Sequence, residues 1–390
     1  MPLDQPPDFK ELANTSDMDA GLKPESFYKA RMNPIRFRIR HVLVRLVLSE
    51  SPSLAAIQQN LRCKVLDYYF LYSANLGAHM FYVLMCPLPA WLGHTDILRD
   101  SVQILGWGIF MTGCVKDFLC LPRPISPPLK RLTLSHYTAQ EYGCPSSHTA
   151  NATSVCLLIL RLVWINWSEN TPFFNYIVTF LTVFYLSTMV LGRIYCGMHG
   201  YIDLAIGALV GIVVFVLRLW LIGDQWDHWV LDTSSRLVPV TTTLIYYTLV
   251  YLHSVPLDAC PCNEDSVSFM GVLMGLDAIH WLVANYAQAY TPIGYRPEEI
   301  PFYYEKLGPV KTILRLIFGV STVVLWKTVS KPVLMKLFGA KKQYIEKGHI
   351  VGYASKPRTD PEIFVRLIVY AGIPTMVVLQ KFLFPLVGLE

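Results

Sequence analysis

Charged side chains are scarce in this sequence. Asp, Glu, Lys and Arg make up 16% of its 390 residues, whereas a soluble globular protein carries about 25%. Hydrophobic residues reach 53%, and the mean hydropathy is +0.38. This composition excludes a disordered chain, a collagen, a coiled coil and a small disulfide-bonded scaffold. It indicates a polytopic membrane protein, because so little charge fits a chain that is largely solvated by lipid.

Other absences narrow the class of protein further. The net charge is only +5 and there is no long basic arm, so we expect no nucleic-acid binding. Most of the nine cysteines lie in apolar runs, and Cys260-Pro261-Cys262 has no further Cys or His beside it at zinc-finger spacing. Residues 1–35 contain no apolar segment typical of a signal peptide. We therefore expect neither a metal centre nor a cleaved leader.

The distribution of polar and apolar residues predicts four regions. Residues 1–35 are polar and rich in Pro and Asp, which predicts a flexible tail. Basic and apolar residues alternate at the start of segment 36–66, which is therefore expected to lie on the membrane surface as an amphipathic helix. Residues 67–222 form the transmembrane core that carries the motifs described below, and residues 223–390 supply additional membrane helices.

Nine apolar segments approach the length of about 20 residues that a membrane-spanning helix requires. They lie near residues 68–92, 101–121, 149–165, 174–192, 201–222, 238–252, 267–289, 309–327 and 363–386. The segments are too long for strands, and they lack the alternating pattern of a membrane barrel. We therefore predict an all-α polytopic bundle of about nine spans.

Three polar clusters interrupt these apolar segments. The first covers residues 116–124 at the end of the second span, the second covers 145–148 at the start of the third, and the third covers 193–203 between the fourth and fifth. The third span leaves the membrane face at which the second arrives, and the fourth returns to that face. All three clusters are therefore expected to meet on one side of the membrane.

The residue types in these clusters suit the binding of a phosphate group. Lys116, Arg123 and Arg193 can neutralise phosphate oxygens, and an arginine can do so with two parallel hydrogen bonds. Ser146 has the position of a helix N-cap, and the free backbone N–H groups that follow it, beginning at Ser147, favour an anion.

The two histidines of the clusters suit transfer of the phosphoryl group. His199 and Asp203 are spaced i, i+4, so one helical face brings them together and the carboxylate can orient the imidazole as a nucleophile. His148 then serves as the proton donor to the leaving oxygen. A lone membrane histidine is more often a packing residue, and a basic residue at the end of a span usually only reaches toward the interface. The hypothesis of a phosphoryl-transfer site therefore rests on the presence of all three clusters in this order, and not on any single residue.

The clusters resemble the motifs of the type 2 phosphatidic acid phosphatase superfamily, which read Lys-x6-Arg-Pro, Pro-Ser-x-His and Arg-x5-His-x3-Asp. Further short matches within and beside these motifs resemble the sphingosine-1-phosphate phosphatases, and most of all the fungal long-chain-base-1-phosphate phosphatases of the endoplasmic reticulum. These matches are Lys116-Asp117, Pro122-Arg123-Pro124, Ser126-Pro127-Pro128, Glu141-Tyr142, Arg193-Ile194-Tyr195 and Gly197-Met198-His199. The motifs cover residues 116 to about 207, and the other spans match only in hydropathy.

The resemblance implies a metal-independent phosphatase that uses no cofactor and takes a lipid phosphate from the bilayer. It implies a phosphohistidine on His199, orientation by Asp203, and His148 as acid and then base. The residues that it implies for phosphate binding are Lys116, Arg123, Ser146, Ser147 and Arg193. It gives no oligomeric state.

The chain departs from the family pattern at two positions. Many members have Ser where this chain has Gly192, which can remove one hydrogen bond to the site. Many have Gly where this chain has Ser147, which still offers its backbone N–H.

Other functions stay open at the level of the sequence. They are a broader lipid phosphatase that acts on phosphatidate or a polyprenyl diphosphate, a glucose-6-phosphatase-like enzyme, and a non-catalytic lipid-binding or transport relative. Silent relatives lose the His or Arg positions, which this chain retains, and a transporter is expected to show inverted repeats or broken half-helices.

Two indicators of membrane orientation disagree. Residues 1–67 are basic, whereas the loop 93–100 contains only Arg99 among its Lys and Arg positions, so the positive-inside rule places the motifs in the cytosol. The basic loop 327–362 falls on the same side. The family resemblance implies a lumenal active site in the endoplasmic reticulum. Because basic residues of a phosphate site or a surface helix weaken the charge rule, we expect the lumenal placement.

Selection of a sphingoid base over phosphatidate requires a carboxylate that reads the substrate amine. Asp117 directly follows Lys116, and Glu141 lies four residues before Pro145, so both are candidates for that role. Either could instead pair with a nearby cation and only hold a loop. Asp277 and His280, at i, i+3 inside the seventh apolar segment, form a further candidate pair, functional or structural.

Overall fold

The computed structural model describes residues 19–135, 138, 140–258, 260–340, 345–346, 349–350 and 360–390, and most of these residues are helical. A two-residue antiparallel hairpin, Ile345–Glu346 with His349–Ile350, supplies the strands of the described part. The all-α prediction is confirmed. Residues 1–18 and most of the predicted basic loop 327–362 beyond residue 340 lie outside the described residues.

The helices of the first half surround the three polar clusters. They are α1 Glu25–Lys29, α2 Pro34–Leu61, α3 Lys64–Ser73, α4 His79–Met85, α5 Pro87–Trp91, α6 Thr95–Leu119, α7 Ser147–Ile165, α8 Pro172–Tyr195 and α9 Tyr201–Val216. The second half adds α10 Gly223–Asp232, α11 Leu237–Leu252, α12 Cys262–Tyr286, α13 Tyr304–Leu337 and α14 Pro361–Leu386.

Several long helices begin at an N-cap side chain followed by proline. Asn33, Thr171 and Asp360 each accept a hydrogen bond from a backbone N–H in the first turn of α2, α8 and α14, and proline occupies the next position. Proline fits there because the first helical N–H has no partner inside the helix. The sequence itself therefore sets where these helices start.

Six helices of the described chain are long and apolar enough to cross a membrane, namely α7, α8, the α9 helix with its extension to Leu221, α12, α13 and α14. The predicted count of nine spans is not confirmed. Helix α6 has 25 residues but contains several charged positions, including Asp100 and Lys116. Helix α11 has 16 residues. The multi-pass membrane character stands on the six apolar helices.

The predicted span 68–92 is not a single helix. It is divided into α3, a 3₁₀ turn at Ala74–Gly77, α4 and α5. Pro87 begins α5, and a proline cannot continue the hydrogen-bond ladder of the preceding helix. The break at the 3₁₀ turn places Gly77 against His148, since a Cβ at Gly77 would lie 2.8 Å from the His148 ring.

Helix α2 braces the loops that carry the polar clusters. The guanidinium of Arg40 donates to Cys120 O, and the Gln58 amide donates to Tyr195 O and Lys130 O. Its outer face exposes Ile39 and other apolar side chains. This arrangement suits a helix with one face against the protein and one toward lipid.

The residues before α2 are packed rather than free. Tyr28 is fully buried, and its hydroxyl donates to Asp258 at 2.6 Å. Gly21 N also donates to Asp258, and Lys23 forms an ion pair with it. The prediction of a flexible tail over 1–35 is therefore wrong for the described residues from 19 onward, because a buried carboxylate that is distant in the sequence anchors them.

Helix α12 occupies the centre of the second half. Most of its side chains are buried, and it packs against α6, α10, α11 and α14. Helix α8 and helix α13, in contrast, expose most of their apolar surface, as expected for helices in contact with lipid.

Candidate active site

The three polar clusters line one cavity of about 310 Å³ at one end of the bundle. The predicted site residues that form its wall are Arg123, Glu141, Ser147, His148, Arg193 and His199. Lys116, Ser146 and Asp203 are almost fully buried and contact these residues or the backbone that carries them. The topology thus brings together residues that lie up to 87 positions apart in the chain, from Lys116 to Asp203.

Close contact between α7 and α9 fixes the second cluster against the third. Ser146 N donates to Asp203 O at 2.9 Å. A Cβ at Gly207 would lie 2.6 Å from Ser146 O, and a Cβ at Gly211 would lie 2.4 Å from Ala150 O. Glycine at these positions allows the two backbones to approach, and the approach sets the distance between the two histidines.

His199 is held between a carboxylate and a guanidinium. Its Nδ1 lies 3.5 Å from Asp203 Oδ2, and its Nε2 lies 3.1 Å from Arg123 Nη1. Because a guanidinium can only donate, Nε2 must accept, and the ring proton therefore sits on Nδ1 facing the carboxylate. Gly200 N donates to the same carboxylate oxygen at 2.9 Å and fixes its position. This tautomer leaves Nε2 with the lone pair of a nucleophile.

The surroundings of His199 keep its imidazole neutral. Burial, and then the charges of Arg123, Lys116 and Arg193, hold the pKa of His199 well below its usual range. Burial also lowers the pKa of Arg123 to about 10, so this guanidinium stays protonated at neutral pH. The site therefore combines a neutral imidazole with fixed positive charge.

Arg123 and Lys116 are positioned by acceptors from the loop between the first two clusters and from the third cluster. Arg123 donates to Glu141 O, Met198 O and Thr138 O, at 3.0, 2.7 and 2.6 Å. Lys116 Nζ contacts the Glu141 carboxylate, which lies 4.0 Å from Arg123 Nη2. Glu141 is therefore shared by two cations.

Arg193 is the least satisfied cation of the cavity wall. Its side chain is 5% exposed, and its Nε has no hydrogen-bond partner among the described residues. A buried guanidinium with an open donor requires an acceptor, and a phosphate oxygen supplies one with matching geometry.

The second cluster starts α7 as the sequence predicts. Ser146 is the N-cap, and its hydroxyl accepts from Thr149 N at 3.3 Å. This hydroxyl faces the helix, whereas Ser147 and His148 line the cavity. Gly192, where many family members have Ser, packs against Phe70, and a Cβ there would lie 2.9 Å from that ring.

Asp117 is not among the residues that line the cavity. Its carboxylate lies 3.7 Å from His253 Nδ1 and within 4.8 Å of the sulfur atoms of Cys260 and Cys262, which form a disulfide. Neighbours on a helix point about 100° apart, so Asp117 turns away while Lys116 points toward Glu141. The structure brings Glu141, and not Asp117, into the cavity wall.

The sequence analysis missed two cavity residues that form a pair. His79 Nδ1 lies 3.3 Å from Asp265 Oδ2, and both side chains line the cavity. Lys327 and Tyr370 of the second half also contribute to the wall. No local pattern in the sequence links these positions, because they come from four different helices.

Asp277 and His280 belong to α12 and lie near the Arg99 end of α6, away from the cavity. They are not paired with each other. Asp277 accepts from Tyr246 Oη at 2.6 Å and pairs with Arg99 at 2.8 Å. His280 Nδ1 bonds to Leu276 O at 2.9 Å. This arrangement supports the structural reading of Asp277, which satisfies buried donors.

Comparison with known proteins agrees with the motifs. Residues 101–227 match the family described as the PAP2 superfamily. The chain is 37% identical to a dihydrosphingosine 1-phosphate phosphatase of Saccharomyces cerevisiae, over 93% of this chain and 89% of the yeast protein. It is 31% identical to a dihydrosphingosine 1-phosphate phosphatase of Schizosaccharomyces pombe, over 90% and 92% of the two chains.

More distant relatives share a smaller part of the chain. Sphingosine-1-phosphate phosphatase 2 of Homo sapiens is 28% identical over 55% of this chain and 58% of the human protein. No solved structure matches this chain. Because the two yeast proteins match nearly the whole chain and the family match spans all three polar clusters, this protein is a multi-pass membrane member of the PAP2 superfamily.

Proposed function

We propose that this protein removes the phosphate group of sphingoid long-chain base 1-phosphates and releases the free base and inorganic phosphate. The observation that carries the proposal is the buried excess of positive charge around the neutral His199 in one cavity. The two yeast relatives, both dihydrosphingosine 1-phosphate phosphatases, support the substrate class. The cavity wall also includes apolar side chains such as Leu71 and Phe269, which suit a lipid chain.

The proposed reaction has two steps through a phosphohistidine. His199 Nε2 attacks the phosphorus, the bond from phosphorus to the lipid oxygen breaks, and His148 gives its proton to that oxygen. His148 then accepts a proton from water, whose oxygen attacks phosphorus, and the bond from phosphorus to Nε2 breaks. Asp203 stabilises the imidazole through Nδ1 in both steps.

The remaining cluster residues are proposed to hold the phosphate. Arg193 and Arg123 donate to its oxygens, Lys116 adds positive charge, and Ser147 offers the first backbone N–H of α7. Ser146 acts through its cap on α7, since its hydroxyl faces the helix. The proposed chemistry needs no metal ion, because fixed cations balance the charge that develops on the phosphoryl group.

A phosphate-release assay on purified protein tests the function. Dihydrosphingosine 1-phosphate, phosphatidate and glucose 6-phosphate are offered in detergent micelles, with and without EDTA. We expect the sphingoid base phosphate to be hydrolysed with the highest kcat/KM and EDTA to have no effect. Preference for phosphatidate or glucose 6-phosphate, or inhibition by EDTA that magnesium reverses, would reject the proposal.

We further propose that the enzyme lies in the endoplasmic reticulum membrane with its active site toward the lumen. The family resemblance supports this placement. The positive-inside rule favours the opposite orientation, but it is a weaker indicator here because Arg36 and Arg40 have packing roles. Arg36 donates to Phe118 O and Arg40 donates to Cys120 O, at the end of α6. A glycosylation acceptor engineered near Ser135 tests the orientation. Modification of an active protein is expected, and an unmodified, active protein would place the site in the cytosol.

A further inference from the structure

We propose, resting on the function proposed above, that Asp265 is the residue that determines amine specificity. Its carboxylate would bind the ammonium group of a sphingoid base 1-phosphate while the phosphate lies at His199. In such a substrate the ammonium sits on the carbon next to the one that bears the phosphate ester. The residue that binds this ammonium must therefore line the same cavity as the phosphate site.

Asp265 has this position. It lies in the first turn of α12 and lines the cavity together with the phosphate-binding cluster. Its partner His79 follows Gly77, whose backbone is in close contact with the ring of His148. The His79 ring also lies within electrostatic reach of Glu141 and Lys116. The His79–Asp265 pair thus borders the group proposed to protonate the leaving oxygen.

Other carboxylates near the cavity are committed to other partners. Glu141 is 7% exposed, and its negative charge is already compensated by Lys116 and Arg123. Asp203 is fully buried and orients His199. Among the described acidic residues, the cavity wall contains only Glu141 and Asp265.

Asp265 remains accessible to a ligand. Its side chain is 24% exposed and that of His79 is 28% exposed, whereas Lys116, Arg123, Arg193 and His199 are at most 5% exposed. The ion-pair partner of Asp265 among the described residues is an imidazole at 3.3 Å, and the permanent cations Arg366 and Lys116 act on its carboxylate at longer range. An ammonium can therefore join the carboxylate, and His79 acts as a positioning residue that holds it in place.

The charge of the cavity makes such a residue necessary. Lys116, Arg123 and Arg193 attract the phosphate but repel the ammonium of the same substrate. A carboxylate in the wall of the same cavity offsets that repulsion and gives an amine-bearing lipid an advantage over phosphatidate, which has no amine. The lipid chain would then run along apolar wall residues such as Val83 and Phe269.

A selectivity ratio tests the proposal. The kcat/KM for dihydrosphingosine 1-phosphate is divided by that for hexadecyl phosphate, a single-chain lipid phosphate without an amine. In Asp265→Asn we expect this ratio to fall by about tenfold or more, through a higher KM for the amine-bearing lipid. His79→Asn should lower the ratio less, again through a higher KM for the amine-bearing lipid. Glu141→Gln is the matched control: it should weaken hydrolysis of both lipids and preserve the ratio.

The outcomes separate this inference from the proposed function. Two results would reject the ammonium-binding role of Asp265 and leave the proposed phosphatase function intact. One is equal kcat/KM of the wild-type protein for both lipids, and the other is a proportional loss of activity on both lipids in Asp265→Asn. If the wild-type protein hydrolyses no sphingoid base phosphate, the proposed function itself fails. Where Asp265→Asn does not fold, the ratio in His79→Asn decides instead, and an unchanged ratio rejects the role of the His79–Asp265 pair.

Discussion

The two ends of helix α6 both bury charged side chains, but they balance them differently. At the Arg99 end, Arg99 and Arg218 meet three carboxylates, those of Asp100, Asp227 and Asp277. At the other end, Lys116 and Arg123 share the Glu141 carboxylate, and Arg193 forms no ion pair among the described residues. We call the first network balanced because each guanidinium contacts carboxylates, and the second unbalanced because Arg193 contacts none among the described residues. A balanced network holds helices together, and an unbalanced one can bind an anionic ligand.

The two ends show how buried charged residues that stabilise a membrane bundle differ from those that bind a substrate. Burial alone does not separate the two ends, because Arg99 and Arg193 are almost equally buried, at 4% and 5% exposure. The supply of partners separates them. Substitutions at the two ends should therefore affect different quantities, activity at one end and stability at the other.

The largest effect is expected from Arg193→Gln. Loss of a guanidinium aimed at the phosphoryl group should lower kcat/KM by about 10²- to 10³-fold. The melting temperature in detergent should stay equal or rise, because the substitution removes a buried and unsatisfied charge. Arg236→Gln, at an exposed arginine far along the chain, is the control and should change neither quantity. A strong loss of stability in Arg193→Gln would assign this residue to the structural class.

The opposite pattern is expected from Asp277→Ala. Its removal leaves Arg99 buried without one of its carboxylates, which should cost about 3–5 kcal/mol in the free energy of unfolding. The kcat/KM of the folded fraction should remain at the wild-type value. Asp224→Ala, an exposed acid beside the same network, should change stability by less than about 0.5 kcal/mol. Loss of activity without loss of stability would contradict the comparison.

A smaller effect on both quantities is expected from Gly207→Ala. The new Cβ would meet Ser146 O at 2.6 Å and push α9 away from α7, which should cost about 1–3 kcal/mol. Because the same contact sets the distance between His148 and His199, activity of the folded protein should fall as well. Ala205→Val, on the exposed face of α9, is the matched control. Unchanged activity and stability would show that this contact does not position the histidines.

The smallest effect concerns pH. The pKa of His199 is held below its usual range, so the nucleophile stays neutral down to pH values below about 6.5. Removing positive charge in Lys116→Gln should raise that pKa and move the acid limb of kcat/KM upward. The titration of the substrate phosphate is the same for both proteins and cancels in the comparison. If the acid limb of kcat/KM does not move in Lys116→Gln, titration of His199 does not determine it.

The sequence allows much of this arrangement to be predicted, and particular residues show where the limit lies. Motif spacing and span parity anticipate that His148 and His199 meet. Helix geometry could also have excluded Asp117, because adjacent helical residues do not share a face. Pro87 and Pro89 offered a signal that the segment 68–92 does not form one helix.

Other features depend on tertiary packing and have no local signal. His79 and Asp265 lie 186 positions apart in the chain and meet only because α4 packs near the start of α12. The anchoring of residues 19–35 likewise depends on Asp258, which no short-range pattern connects to Tyr28.

Trapping of the phosphoenzyme tests the central claim most directly. The protein is incubated briefly with dihydrosphingosine 1-phosphate that carries ³²P and is then denatured in alkali, which preserves phosphohistidine. We predict a labelled protein in the wild type and no label in His199→Ala. In His148→Ala we predict label that forms slowly and then persists, because both departure of the lipid oxygen and attack by water lack their proton carrier. Label that persists in His199→Ala would contradict the assignment of the unbalanced cluster as a site of phosphoryl transfer to His199.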